Sequence, residues 1–404
     1  MTQFIESEKK MANKKVLIIY SRDIAINDSG GSRTTIQLAN YIASKNEYEC
    51  YCFFKIIEGN EGKVKEVRDT SLSIDNLHRF INEKEIDILL VPEAYKLSKL
   101  AYDAVAGTGC KIVSALHNKP GYERIDFFTL LKESFLYNEK MIKRIRAFLL
   151  MTVYPLSFYL YTRRIMLNMR RAYMLSDYVV LLSESFFEQF KKAYRVRDNN
   201  KLVAIENALS FDDFATKDNL KNKQKQILVV SRLDERQKRI SIVLKTWSKL
   251  FKKFPDWELL IVGSGRSQKS YINLANKLGL ERFKFLGQRK PESFYREASI
   301  FLMTSAYEGW GMTLTEAQQY GCVPIVMDSY SAVHDIIDSG YNGIISPNNE
   351  LDEYVSNISK IIENEDLRQS LAMNGISSSK RFTHDKVSEK WIRLFDKIIS
   401  EKES

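Results

Sequence analysis

"IFLMTSAYEGWGMTLTEAQQYGCVPIVM", residues 300–327, holds a whole structural unit. "IFLMTS" (300–305) and "VPIVM" (323–327) are unbroken apolar runs, the pattern of strands buried on both faces. "AYEGWG" between them carries two glycines in three residues and reads as a loop. "MTLTEAQQY" reads as a helix, with Gly321 as its C-terminal stop. The same alternation runs along the chain. Strands are expected at 16–20, 51–54, 86–91, 111–116, 178–183 and 202–205, then at 227–231, 258–263, 283–287 and 343–347. The class is therefore α/β with parallel sheets, and such sheets bind ligands beyond the C-terminal ends of their strands.

The pattern restarts after "SFDDFATKDNLKNKQKQ" (210–226), which is polar and reads as a linker. The expected organisation is a lead-in over 1–13, a first domain over 14–209, the linker, a second domain over 227–380 and a last segment over 381–404. Its helix "KVSEKWIRLFDKII" (386–399) has apolar residues at helical spacing and fits against either domain. Two Rossmann-like halves on one linker leave a cleft, a natural place for a reaction between two substrates. The N-terminal "MTQFIESEKKMANKK" lacks the apolar core of a signal peptide and is expected to be a disordered lead-in. Cys50, Cys52, Cys110 and Cys322 lie mostly in apolar runs and are expected as buried free thiols in a reducing compartment, the cytoplasm. The net charge of +10 is compatible with nucleic acid, an anionic membrane or a phosphorylated substrate. No nucleic-acid recognition module is recognisable.

Glu308 falls in the loop after a strand and Glu316 in the helix that follows. Glycine-loop and helix N-terminal N–H groups suit a phosphate, and carboxylates suit sugar hydroxyls. By themselves the two acids also fit a helix start and a solvated loop. "ILVVSRLDERQKRI" (227–240) places Arg232 and Lys238 beyond another strand on the same edge, where they suit a diphosphate. Arg236 and Arg239 read as surface charges, and Glu184 as a cap for the helix after it. His117, after an apolar strand, fits a structural role as well as a functional one.

"SRLDERQKRI" and "SAYEGWGMTLTEAQQYGCVPIV" together resemble the retaining glycosyltransferases of family 4, which have GT-B architecture. Glu308 and Glu316 match that family's Glu-x7-Glu motif, and Arg232 and Lys238 its Arg/Lys pair. "NDSGGSRTTIQLANYI" (27–42), "SALHN" (114–118), "IENAL" (205–209) and "IVGSG" (261–265) resemble further family segments; the likeness is weak across 119–175. The resemblance implies a hexosyltransferase with two Rossmann-like domains facing each other across a cleft. It implies that Glu316 holds the donor ribose, that Glu308 contacts the donor sugar, and that Arg232 and Lys238 stabilise the diphosphate leaving group. Gly309, Trp310, Gly311, Met312 and Thr313 would offer backbone N–H groups, Gly30 and Gly31 would lie beneath the phosphates, and His117 would face the transferred sugar. Gly263 lies in the matched glycine turn, and Arg289 in "GQRKPESF" (287–294), the loop expected near the base, where UDP and GDP donors both fit.

No Asp-x-Asp occurs in the chain, so no metal or other cofactor is expected; the nucleotide-sugar is a substrate. A nucleotide-sugar epimerase of the same fold and an inactive nucleotide-sugar-binding subunit are the rival readings. The acceptor is expected to be a saccharide or a lipid-linked saccharide of bacterial surface polysaccharide or glycolipid synthesis. Residues 140–171 carry Lys140, Lys143, Arg144, Arg146, Arg163, Arg164, Arg170 and Arg171 around an uncharged apolar run. That run is too short and interrupted to span a bilayer. Two readings stand: a segment lying on the inner face of the membrane, or a core helix hairpin with a solvated basic face.

Overall fold

The computed structural model describes residues 13–26, 30–67, 71–122, 127–137 and 140–403. The lead-in expected over 1–13 lies outside them, but for Asn13. The first half contributes β1 (Lys14–Ile18), β2 (Ile24–Ala25), β3 (Tyr48–Cys52), β4 (Ile56–Glu58), β5 (Lys65–Glu66), β6 (Ile88–Val91), β7 (Lys111–Ala115), β8 (Tyr178–Leu181) and β9 (Leu202–Ala204). The second half contributes β10 (Gln224–Val230), β11 (Glu258–Val262), β12 (Phe283–Gly287), β13 (Ala298–Met303), β14 (Val323–Met327) and β15 (Ile344–Ser346). Each expected strand is present. The short β2, β4 and β5 were not anticipated, because two or three residues are too few to set a pattern.

The strands form two parallel sheets, ordered β5-β3-β1-β6-β7-β8-β9 and β12-β11-β10-β13-β14-β15, with β2 and β4 paired separately. In each large sheet the order reverses beside the strand that starts the half. The loops after β1 and β6 therefore diverge to opposite faces and open a crevice, as do those after β10 and β13. The central strands are buried on both sides: Val16, Leu17 and Ile18 of β1 and Ile300 of β13 have no exposed surface. This accounts for continuous apolar runs instead of alternation.

The stretch expected as a linker is more ordered than its composition suggests. Thr216 accepts from Asn219 N–H, and the Asn219 side chain accepts from Thr216 N–H, a reciprocal cap that starts the helix Lys217–Lys221. Leu220 is buried against the second domain, and Gln319 Nε2 donates to Phe211 O at 2.8 Å and Asp213 O at 2.6 Å. The connection lies on the second domain instead of hanging free. The last helix, His384–Glu403, returns to the first domain. Val387, Trp391, Phe395 and Ile398 join the core that contains Val16 and Ile42, and Lys14 and Tyr48 donate to Asp396 at 2.5 and 2.6 Å. Burying each large side chain contributes about 1.5–3 kcal/mol. The two crossings between domains touch where Leu209 N–H donates to Phe382 O at 2.8 Å.

The four cysteines are free and buried. Burial pushes the Cys322 thiol up to about 12, so it is inert as a thiolate. Residues 140–171 do not form a core hairpin. They fold as the helices Met141–Thr152 and Tyr154–Leu175, and over 141–160 only Ala147 and Ser157 are buried. Met141, Ile142, Ile145, Phe148, Leu149, Leu156, Tyr159 and Leu160 are exposed, with Lys143, Arg144 and Arg146 among them. Among the described residues no helix is long and apolar enough to cross a membrane.

Candidate active site

The loops at the two switch points meet across a cavity of about 520 Å³. From the second domain, Arg232, Gln237 and Lys238 follow β10, and Glu308 to Thr313 follow β13. From the first domain, Tyr20, Gly30 and Gly31 follow β1, Glu93 and Tyr95 follow β6, and His117 to Lys119 follow β7. Sequence reading had paired Arg232 and Lys238 with Glu308 by strand-end placement. The strand order explains why Lys238 touches Glu308 and Arg232 reaches it through Gln237: β10 and β13 are neighbours.

Glu308 is buried, and its Oε1 accepts from Lys238 Nζ at 2.5 Å. Its Oε2 accepts from Gln237 Nε2 at 3.3 Å, and Gln237 Oε1 accepts from Arg232 Nη2 at 2.8 Å. A carboxylate, an amide and two cations thus share one edge of the cavity. Arg239 is not a surface charge. Its guanidinium donates to Thr304 O at 2.6 Å and Ser305 O at 2.9 Å, and to Asn348 and Asn349. It pins the end of β13 to the basic loop and fixes where Glu308 stands. Arg236 is partly buried and lies 3.5 Å from Asp234, so it too is no free surface charge. Glu184 is exposed; the cap at that helix start is Ser183, whose hydroxyl accepts from Ser185 N–H.

The helix Met312–Gln319 starts at Gly311, whose φ of 100° only glycine adopts readily. Its first residues, Met312 and Thr313, line the cavity, and the opening N–H groups of a helix lack an acceptor one turn back; Leu314 N–H donates to Gly311 O at 2.8 Å. Gly321, with φ 68°, stops the chain there before β14. A Cβ on Gly31 would sit 3.6 Å from the His117 ring, and one on Gly309 only 2.2 Å from His117 O. Gly309 thus permits close approach of the second domain to His117 of the first, while Gly31 meets the His117 ring at ordinary contact distance. Burial pulls the His117 imidazole down to about 4, against the opposing pull of Asn207, and its Nδ1 has no partner among the described residues. It is a neutral ring at pH 7 on the cavity wall, with its unpartnered Nδ1 turned away from open solvent.

Glu316, Gly263 and Arg289 are not on the cavity wall. Gly263 is held by its backbone, N–H to Gly287 O at 2.8 Å, and a Cβ there would strike Ser231 O. Arg289 is exposed and donates to Leu286 O at 3.1 Å. Glu316 is buried beneath Arg33, Ser210 and Tyr295, three residues that sequence reading did not single out.

Glu93 was also missed. Burial pushes its carboxyl up, but Lys96 and the Ser21 N–H, 2.7 Å away, outweigh that and hold it below the usual range. Its signal was available: "ILLVPEAY" puts an acid just past a buried strand. Among the described residues no three His, Cys, Asp or Glu side chains are grouped as a metal site requires.

Residues 210–378 match the family model described as Glycosyl transferases group 1. The match falls on the second domain and the connection leading into it. Alr3699/HepE of Anabaena, in complex with UDP, superposes with a TM-score of 0.68 at 17% identity, covering 95% of this chain and 100% of that one. The fold is GT-B. An uncharacterized glycosyltransferase of Haemophilus influenzae is 28% identical over 218 residues, 53% of this chain and 60% of that protein. The amylovoran biosynthesis glycosyltransferase AmsD of Erwinia amylovora is 29% identical over 228 residues, 54% of this chain and 62% of that protein. The matches thus span about 60% of the length of these curated relatives.

Proposed function

We propose that this protein is a glycosyltransferase that moves a hexosyl group from a UDP- or GDP-sugar to a saccharide or lipid-linked saccharide. The observation that carries the reading is the convergence of Arg232, Lys238 and Glu308 on one cavity edge, opposite Gly30, Gly31 and His117. Transfer breaks the bond between the anomeric carbon and the diphosphate oxygen and forms one to an acceptor hydroxyl oxygen. Negative charge grows on the leaving diphosphate. Arg232, Lys238 and the N–H groups at the start of the helix Met312–Gln319 are fixed donors for that charge. Glu308 accepts from the sugar hydroxyls, and its pairing with Lys238 keeps the ammonium aimed at the phosphate. The acceptor proton passes to the departing phosphate oxygen on the same face, which gives retention. Because the cations are protein side chains, the reaction needs no metal.

The same reading places the enzyme on an anionic membrane face in bacterial surface polysaccharide or glycolipid synthesis. Its support is the exposed apolar and basic surface of the helices Met141–Thr152 and Tyr154–Leu175. Met169 of the second helix also lines the cavity, which joins that surface to the acceptor side.

The test is a panel of UDP- and GDP-sugars with mono- and oligosaccharide acceptors, assayed in excess chelator, with the product anomer read by NMR. An α-donor yielding an α-linked product without added metal is expected. Strict dependence on Mn²⁺ or Mg²⁺ would overturn the role of Arg232 and Lys238. An inverted product would overturn same-face transfer, and an epimerised nucleotide-sugar would replace transfer altogether.

A further inference from the structure

Glu316 is 4% exposed, and its two oxygens are already engaged. Tyr295 Oη donates to Oε2 at 2.9 Å from within the second domain. Oε1 accepts from the Ser210 hydroxyl, which belongs to the crossing between domains, and from Arg33 Nη1 at 3.4 Å. Arg33 Nη1 also donates to Ser210 Oγ at 2.8 Å. Arg33 stands on the helix Gly30–Ser44 of the first domain, one turn beyond the glycines that line the cavity. A side chain from each domain and one from the crossing therefore converge on one carboxylate.

A carboxylate accepts about four hydrogen bonds, two per oxygen. Oε1 has both positions filled and Oε2 has one. A ribose presenting two hydroxyls needs two free positions, and Glu316 offers one. One contact must give way. The Arg33 contact is the longer, and the Arg33 side chain is 28% exposed, so its guanidinium reaches water on release. Ser210 is shorter-tethered, and Tyr295 is wholly enclosed.

We propose that Arg33 is a displaceable latch between the domains, closed on Glu316 in the unliganded protein and released when the donor ribose takes its position. This rests on the reading of Glu316 as the ribose carboxylate. It makes Arg33 a competitor of the donor rather than a donor ligand, and it couples nucleotide entry to loosening of one interdomain contact. Donor affinity is then set partly by the strength of an ion pair the donor never touches once bound.

The sign of the effect decides the matter. UDP and GDP are titrated calorimetrically against the wild type, Arg33→Met, which keeps the apolar stem, and Ser210→Ala. The latch predicts that Arg33→Met binds the preferred diphosphate about two- to fivefold tighter, the range of a partly exposed ion pair. Ser210→Ala, which frees the other position on Oε1, shifts affinity the same way. Structural damage can only weaken binding, so tightening is a signature that damage does not mimic. Equal or weaker binding by Arg33→Met would overturn the latch and leave the nucleotide site standing, with Arg33 recast as a donor ligand if binding weakens. Absence of binding of either diphosphate to the wild type and both variants would overturn the nucleotide site itself, and the displacement with it.

Discussion

At Gly309 a single added carbon would bring the two domains into collision, because its Cβ would lie 2.2 Å from the backbone oxygen of His117. The obstacle is main chain, so it cannot swing aside. Gly309→Ala should fold normally yet lower kcat/KM by about 10- to 100-fold, the scale on which a misplacement of about 1 Å acts on catalysis. Steady-state kinetics with the accepted nucleotide-sugar and a thermal melt would check both halves; wild-type kinetics would mean the contact is unimportant. His117 has its own signature. Its folded pKa of about 4 lies below the ordinary 6.5, so the unfolded chain takes up the proton first. The stability this group contributes is complete above about 6.5 and is lost as pH falls toward 4. Urea unfolding at pH 7.5 and pH 5 should show the wild type losing stability relative to His117→Gln at the lower pH. A constant difference would mean that His117 titrates in the fold as it does in the unfolded chain. Glu308, Arg232 and Lys238 were legible as residues because each follows a strand on a glycine-rich or basic loop. Arg33, Ser210 and Tyr295 were not, since nothing local to any of them points to Glu316.

At the scale of elements, the helical pair over 141–175 carries the plainest mismatch between composition and burial. A helix pair covering a sheet would hide its apolar side chains. Here Ile142 is 77% exposed and Leu149 57%. With Lys143, Arg144 and Arg146 interspersed, the surface matches an interface of acyl chains below anionic headgroups. The full chain should float with anionic vesicles at low salt and release as salt rises, because the Debye length shrinks to about 8 Å at physiological ionic strength. Changing Lys143, Arg144 and Arg146 together to Gln should reduce flotation. Equal flotation of the two proteins, or none by the wild type, would leave this surface without a membrane role. The sequence supplied both readings of this segment and could not choose, since helical periodicity shows an apolar face but not what covers it. The stretch 210–226 shows the converse. Its polarity suggested a free linker, while Leu220 and the carbonyls of Phe211 and Asp213 are tied to the second domain.

For the whole molecule, every strand of the two large sheets except the short β5, and the expectation of a site at strand ends, follow from the sequence alone. A parallel strand buried on both faces must be continuously apolar, and the loops at its C-terminal end are where chemistry-bearing residues can stand clear of the sheet. These constraints act within a few residues of each other, so they are written locally. Strand order is not local. That β10 lies beside β13, and so Lys238 beside Glu308 across 70 positions, is fixed only when the sheet assembles. The last helix could have joined either domain on its pattern; the pocket lined by Val16 and Ile42 decided it. The meeting of Arg33 with Glu316 spans 283 positions and depends on how the two domains sit together. The sequence determined the main strands, the two-domain plan and eleven of the residues that line the cleft, Glu308, Arg232 and Lys238 among them. The tertiary structure alone decided which of those residues touch and that Glu316 is already occupied, because contacts between distant positions arise from packing, which no local pattern encodes.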